Sequence, residues 1–310
     1  MSRRLPVPLL AAALVAVQVV AAAGCTSGAR APAAAANDAA PGFAFSGDFR
    51  GPLGVQLYSF RDAFRGGDVP GTLARVRALG FREVELAGTY GMSAQQLRRE
   101  LDRAGLRATS MHAGYERLRD SLPAVLAEAK VLGAGWVGTA WIPHPAGPIT
   151  EEIARRAAAD FDRAGRAARA QGIGFFYHIH GYEFRAGPNG VVPMDVLVRE
   201  TDPDAVKFEL DTFWAAHPGA DPAALLRRWP GRWKLMHLKD MKRGVATGVH
   251  TGTANPDSTE VPVGSGQIDF RALLRAARDV GVERYYIEDE TAAPFETVPR
   301  SVRWLEAARY

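Results

Sequence analysis

Arg107-Ala-Thr-Ser-Met-His112, Leu118 to Leu132 and Trp136-Val-Gly-Thr-Ala-Trp141 follow one another as a strand, a helix ended by Gly133, and a second strand. Two strands joined by a helix-length crossover lie parallel. Working outward, the same unit recurs on both sides. Toward the N-terminus, Leu53-Gly-Val-Gln-Leu-Tyr58 and Glu83-Val-Glu-Leu86 read as strands, with helices over Val69 to Leu79 and from the Ser93 cap to Gly105. Toward the C-terminus, strands are expected at Ile173 to His180, Val206 to Asp211, Trp233 to Leu238 and Arg284 to Glu290, with helices over about Thr150–Gln171, Asp269–Val280 and Pro294–Ala308. Eight strands, each followed by helical or helix-length sequence, match a (β/α)8 barrel at its usual ~250 residues. The rival, an open doubly wound sheet, calls for a Gly-rich phosphate loop after an early strand. Gly54 and Gly80 stand alone, and Gly264-Ser-Gly266 follows no clear strand, so the barrel is the better reading.

The chain is 47% apolar and 23% charged, a composition that supports a large core. Its 38 basic and 34 acidic residues leave a formal charge of +4, and setting Arg3 and Arg4 aside leaves 36 against 34. So even a balance, without a long basic run, offers no support for a nucleic-acid partner. Cys25 is the only cysteine, which excludes an internal disulfide and a thiolate metal cluster. Arg3 and Arg4 precede an uncharged stretch from Leu5 to Ala29, the pattern of a secretory signal. Within it, Ala22-Ala23-Gly24-Cys25 resembles a bacterial lipoprotein box, in which the cysteine becomes the lipidated first residue. Eight of the twelve positions from 29 to 40 are alanine, between Pro32 and Pro41 and among Gly and Ser. The expected organisation is a signal peptide over 1–24, a flexible tether over 25–50 and a TIM-barrel catalytic domain over 51–310. The protein is then exported and lipid-anchored through Cys25, periplasmic or at the cell surface, with no other membrane contact.

In such a barrel the active site lies at the C-terminal ends of the strands. There the sequence places His112, His178 and His180, Asp211, His237 and Lys239, and Glu288 and Glu290. Residues two apart on a strand share a face, so His178 with His180, and Glu288 with Glu290, can point inward together. Two histidines and two carboxylates converging from four successive strands are costly to desolvate without a cation. A nitrogen and oxygen donor set without sulfur suits one divalent ion such as Mn, Zn, Co or Fe.

At this point a resemblance covers almost the whole domain. Phe176-Tyr-His-Ile-His-Gly-Tyr-Glu-Phe184 resembles the strand-five motif (Tyr-His-Asn-His…Glu-Phe) of one branch of the sugar isomerase/epimerase superfamily of xylose isomerase-like barrels. Glu209-Leu-Asp-Thr-Phe-Trp214, Leu235-Met-His-Leu-Lys-Asp240, Val263-Gly-Ser-Gly-Gln-Ile-Asp269 and Tyr286-Ile-Glu-Asp-Glu290 match the same branch. The resemblance implies metal ligation by Asp211, His237 and Glu288. Many relatives carry, where His178 stands, a glutamate that is both ligand and catalytic base. The fourth ligand is therefore His178, His180 or Glu183.

The implied chemistry is abstraction of a proton next to a carbonyl, with Glu288 as base and His178 or His180 as partner acid or base. His112, Lys239 and Glu290 are candidates to hold substrate oxygens, Lys239 having Asp240 or Glu209 as alternative ion-pair partners. Trp214 either stacks on a sugar ring or packs the barrel rim. An exported enzyme meets free sugars, so the expected substrate is an unphosphorylated sugar or keto-sugar, and the expected reaction isomerisation or epimerisation. A metal-dependent lyase or dehydratase on 3-keto-glycosides or inosose-like ketones is the alternative, ahead of a non-catalytic sugar-binding lipoprotein. A homo-oligomer is left open.

Overall fold

The computed structural model describes residues 42–145, 147, 149–187, 189–248 and 258–310. The expected signal peptide, Cys25 and the first part of the tether lie outside the described residues. Eight parallel strands form a closed barrel: β1 (Leu53–Gln56), β2 (Glu83–Leu86), β3 (Arg107–His112), β4 (Trp136–Thr139), β5 (Gly174–His178), β6 (Val206–Asp211), β7 (Trp233–Leu238) and, after a hairpin, β10 (Arg284–Ile287). Strand β10 pairs with both β7 and β1, which closes the ring. The hairpin joins β8 (Asp240–Met241) to β9 (Glu260–Val261) as an antiparallel ribbon outside the barrel.

The helices sit where apolar spacing and caps place them. Ser93 and Gln96 form a reciprocal capping box at the start of the helix Ala94–Ala104. The single helix expected over 118–132 is two, Tyr115–Asp120 and Leu122–Leu132. Pro123, near the start of the second, is tolerated there because a first-turn N–H has no helical acceptor to lose. Helices at Pro193–Glu200, Thr212–Ala216 and Pro222–Arg228 complete the shell.

Four strands stop short of their expected ends, and the reason is local. The first gives way after Gln56, whose side chain accepts the Tyr58 N–H at 3.1 Å as Leu57–Phe60 turn into a short helix. After His178 the His180 N–H turns to the Glu183 carboxylate, 3.0 Å away, and Gly181 adopts φ +93°. A Cβ on Gly181 would lie 2.4 Å from the Trp214 carbonyl oxygen, so only glycine fits this turn. After Ile287 the Asp289 N–H donates to Ser59 Oγ (2.9 Å) and the Glu290 N–H to Glu260 Oε2 (3.1 Å). His180, Glu288 and Glu290 therefore sit on loops over the barrel mouth rather than on strands. Strand β4 likewise ends at Thr139 and leaves Trp141 at the rim.

The folded unit also begins before residue 51. Gly47 and Asp48 donate backbone hydrogen bonds to Glu306 and Ala308 (both 2.7 Å), and Phe49 is buried edge-on against Tyr285 at 5.1 Å. Phe43 and Phe45 pack on the same core. Burying a phenylalanine is worth about 1.5–3 kcal/mol, and with these hydrogen bonds it helps tie residues 42–50 to the barrel.

Inside the barrel, period-two alternation stacks two layers. Phe176, Leu235 and Tyr286 pack together with Trp136 as an apolar plug. Two residues further along the same strands or their ends stand His178, His237 and Glu288. The layers touch, His112 lying 5.3 Å from the Phe176 ring and His237 lying 6.3 Å from Tyr286. The plug makes the barrel a filled core, and the layer above it is polar.

Candidate active site

Every barrel strand but β4 contributes to that polar layer. Gln56 comes from β1, Glu85 from β2, His112 from β3, His178 from β5, Glu209 and Asp211 from β6 and His237 from β7, with Lys239 and Glu288 just beyond β7 and β10. All of these except His112 are buried. The structure brings His178, Asp211, His237 and Glu288 together, one ligand atom from each lying within 4.8 Å of the others. A second group, His112, His178, Glu209 and His237, meets the same criterion one step deeper.

His237 links the two. Its Nδ1 is 3.0 Å from Glu288 Oε2 and 3.8 Å from Asp211 Oδ2, while its Nε2 is 2.6 Å from Glu85 Oε1. Glu85 Oε1 is itself fixed by the Gln56 amide, which donates at 2.8 Å. Burial opposes charge on this ring, but Glu209 and Glu288 raise it well above the usual histidine value. Loss of the Nδ1 proton, with Nε2–H kept on Glu85, would offer Nδ1 to a cation in the carboxylate–histidine arrangement common at metal sites.

The charges balance by proximity. Burial and the neighbouring Glu85 push the Glu209 carboxyl up, but His237, His112 and His178 bring it down to about 2. Burial works against charge on His112 as well, yet Glu85 and Glu209 raise it to about 9. Burial also opposes ionisation of Glu288, and is outweighed by the Lys239 ammonium and His237, which hold it well below the usual carboxylate range. Burial lowers His180 to about 3, Glu288 only partly offsetting it.

A divalent cation fits this set. Asp211 Oδ2 is buried without a hydrogen-bond partner, with Lys239 Nζ 3.5 Å away. Its Oδ1 accepts the Trp214 N–H at 2.8 Å, so one oxygen is anchored and the other is turned toward His237 and Glu288. Two imidazoles and two carboxylates provide the nitrogen and oxygen donors that Mn, Fe, Co and Zn accept.

Above this floor opens a cavity of about 710 Å³. Glu288 and Glu290 form one wall, and His112, His178 and His180 line it with Trp214, Trp141 and Tyr58. Among the described residues lining it there is no arginine or lysine. Lys239 lies behind the wall, its Nζ 2.7 Å from Glu288 and 2.6 Å from Glu290.

Several expectations are refined by this geometry. Lys239 pairs with Glu288, Glu290 and Asp211 rather than with Asp240 or Glu209. Asp240 instead accepts the N–H groups of Gly264 (2.9 Å) and Gly266 (2.8 Å), which tie the hairpin to the loop before the last helical crossover. Lys239 is fully covered and absent from the cavity lining, so it does not itself reach substrate oxygens, the role expected of it from the sequence. Glu183 does not join the donor set, because its carboxylate is taken up by the His180 N–H and the Tyr177 hydroxyl. Burial raises that carboxyl to about 7. His180 lines the cavity but is absent from both four-residue groups, leaving His178 as the β5 member. Trp214 lines the cavity with its indole N–H unpartnered.

Sequence reading missed Glu85 and Gln56, and named Glu209 only as an ion-pair partner. The signal was present: a glutamate at an inward position of a strand covered on both faces, as in Glu83-Val-Glu-Leu86, is too costly to bury without partners.

Comparison with known proteins places the chain. The inosose dehydratase of Lacticaseibacillus casei is 30% identical over 177 residues, 53% of this chain and 56% of that protein. This chain thus spans about half the length of the curated relatives it matches. A sugar phosphate isomerase/epimerase from Parabacteroides distasonis superposes with TM-score 0.69 at 26% identity, over 85% of this chain and 96% of the other. An L-ribulose 3-epimerase shares the fold with TM-score 0.62 at 15% identity, over 83% and 93% of the two chains. The profile of the xylose isomerase-like TIM barrel matches residues 73–308, and with the closed eight-stranded barrel it shows that this chain belongs to that family.

Proposed function

We propose that this protein is a metal-dependent enzyme that removes the proton next to the carbonyl of an unphosphorylated keto-sugar or cyclic keto-polyol. The observation that carries this is Glu288: a carboxylate 7% exposed at the cavity wall, kept ionised by Lys239 and His237, and beside the His178, Asp211 and His237 donors. A cation held by those residues would supply the positive charge that acidifies a C–H next to a carbonyl. Glu288 takes that proton. Lys239 keeps Glu288 and Glu290 ionised and stationary, and the Glu85–Gln56 pair keeps His237 turned.

The fate of the carbanion left by proton removal depends on the opposite wall. An epimerase that exchanges protons between two faces is served by paired carboxylates. Here β5 and the turn after it offer His178 and His180 to the cavity, while the one carboxylate of that turn, Glu183, is taken up by Tyr177 and the His180 N–H. We assign elimination of water from the β-carbon as the reaction: Glu288 takes the C–H proton, the C–H electron pair becomes the new C=C bond, the C–O electron pair leaves with the hydroxyl, and the proton held on Glu288 passes to that hydroxyl so that water departs. The inosose dehydratase relatives favour the same assignment. Isomerisation or epimerisation is the second reading, favoured by likeness over nearly the full length of the sugar phosphate isomerase/epimerase. With no arginine or lysine among the described residues lining the cavity, an unphosphorylated substrate is favoured.

Incubating the purified protein with unphosphorylated keto-sugars and keto-inositols in D₂O tests the reading. Elimination yields an unsaturated ketone, whereas epimerisation yields a deuterated stereoisomer. No exchange and no product from any ketone would reject both. Elemental analysis should find about one divalent ion per chain, and Asp211→Ala or His237→Ala should lose most of it. An active wild type free of metal would overturn the metal assignment.

Export and anchoring through Cys25 form part of the same proposal. Cys25→Ser should release the barrel from the membrane fraction with its activity unchanged. A variant that stays membrane-bound and unprocessed would identify the N-terminal segment as an anchor in its own right.

A further inference from the structure

Among the described residues, the large apolar side chains that stand most exposed are Tyr58, at 42%, and Trp141, at 39%. Singly exposed aromatics need no explanation, but both of these line the mouth of the cavity above Glu288. Neither is loose. Trp141 lies flat against the His144 ring at 4.9 Å and 24°, and its edge meets Tyr182 at 4.9 Å. The Tyr182 hydroxyl in turn accepts the Ile142 N–H at 3.0 Å, which pins the loop that carries Trp141. Tyr58 has the Arg61 guanidinium 4.9 Å from its ring centre. A packed loop thus holds an indole in water beside the active site. That arrangement costs hydration of the ring, and it is relieved by a ligand that covers it.

The rings also form a ladder from the chemistry outward. His237 and His178 are 4.4 Å apart, His178 and His180 4.8 Å, and His180 and Trp141 5.8 Å. Trp214 branches from His180 at 5.6 Å, and its buried indole N–H faces no acceptor. The inner rungs thus offer a donor and imidazoles beside Glu288, as a ring undergoing proton abstraction requires. Trp141, the outermost rung, and Tyr58, on the lining of the same cavity, present exposed aromatic faces. Sugar rings present an apolar C–H face and a hydroxylated edge, which suits such a surface with one side wet.

We infer that the mouth is a second sugar subsite, with Trp141 as its platform, and that the substrate is a glycoside of two or more rings, the reacting ring lying inward at Glu288 and Trp214. This rests on the reading above for which ring reacts, but not for whether the outer ring binds. Binding therefore tests it separately from turnover. Calorimetric titration of the purified full chain with glucose, maltose and cellobiose should show at least one disaccharide binding at least about tenfold more tightly than glucose, equivalent to ~1.4 kcal/mol. Trp141→Ala should remove most of that preference, and Trp141→Phe should keep part of it. Circular dichroism on each variant checks that the barrel has folded.

Disaccharides that bind no better than glucose, or no better than buffer, would overturn the subsite and leave the proposed proton abstraction to stand or fall on the D₂O experiment. A preference that survives Trp141→Ala would overturn the role given to this side chain. Conversely, a Trp141-dependent preference in a protein that exchanges no α-proton would support the subsite while rejecting the proposed chemistry.

Discussion

Glu288→Gln should lower turnover by ~10²–10⁴, the usual cost of losing a general base. The amide keeps the size of the side chain and one coordinating oxygen, so metal content should fall only modestly. Exchange of the substrate's α-proton with solvent should fade in step with turnover, because both need the same proton acceptor. The effect is expected to be large because Glu288 is the carboxylate that both lines the cavity and stands among the His178, Asp211 and His237 donors. Glu290 points its carboxylate at Lys239 Nζ, 2.6 Å away, and its backbone is held by Glu260. Glu290→Gln should accordingly be much milder. Near wild-type turnover and exchange in Glu288→Gln would move the base to the β5 histidines.

Lys239→Met should destabilise the metal-free chain by ~3–5 kcal/mol, as expected when one member of a buried ionic cluster is removed and the others stay charged. The side chain is wholly covered and its ammonium faces three carboxylates, Asp211 at 3.5 Å, Glu288 at 2.7 Å and Glu290 at 2.6 Å. Burial and an apolar replacement leave those carboxylates to repel one another. Denaturant unfolding of metal-free protein measures the loss. Adding Mn²⁺ or Zn²⁺ should recover part of it, since a bound cation adds RT ln(1 + [L]/Kd) to stability and also neutralises Asp211 and Glu288. A Lys239→Met protein as stable as wild type without metal would show that the three carboxylates are satisfied some other way. An unstable variant that no divalent ion rescues would count against the cation site.

Secondary structure and strand order were legible in the chain because they depend on local quantities. Alternation of strand-length and helix-length runs, the Ser93 cap and the glycines after helices each act over a few residues, and a parallel crossover leaves few topologies. The inward residues of β5 to β7, His178, Asp211 and His237, were legible for the same reason: period two decides which side chains share a face. The exact strand ends were not. His180 and Glu290 leave the ladder because Glu183 and Glu260 capture their N–H groups, and those carboxylates act through geometry that no local pattern announces.

The apolar and positively charged N-terminal segment, the even charge balance and the single cysteine are properties of the sequence by itself, as is the set of polar residues available at the barrel mouth. Which of those residues meet was decided only by closing the barrel. Glu85 and His237 are 152 positions apart and bond at 2.6 Å because β2 and β7 face each other across the same ring. Lys239 chooses Glu288 and Glu290 over its sequence neighbour Asp240 because the last turn of the chain delivers those two carboxylates to a covered ammonium, while Asp240 is drawn outward by the N–H groups of Gly264 and Gly266. A charge buried in the interior takes the partners that tertiary packing brings within reach, since leaving it unpaired costs more than any local preference can supply.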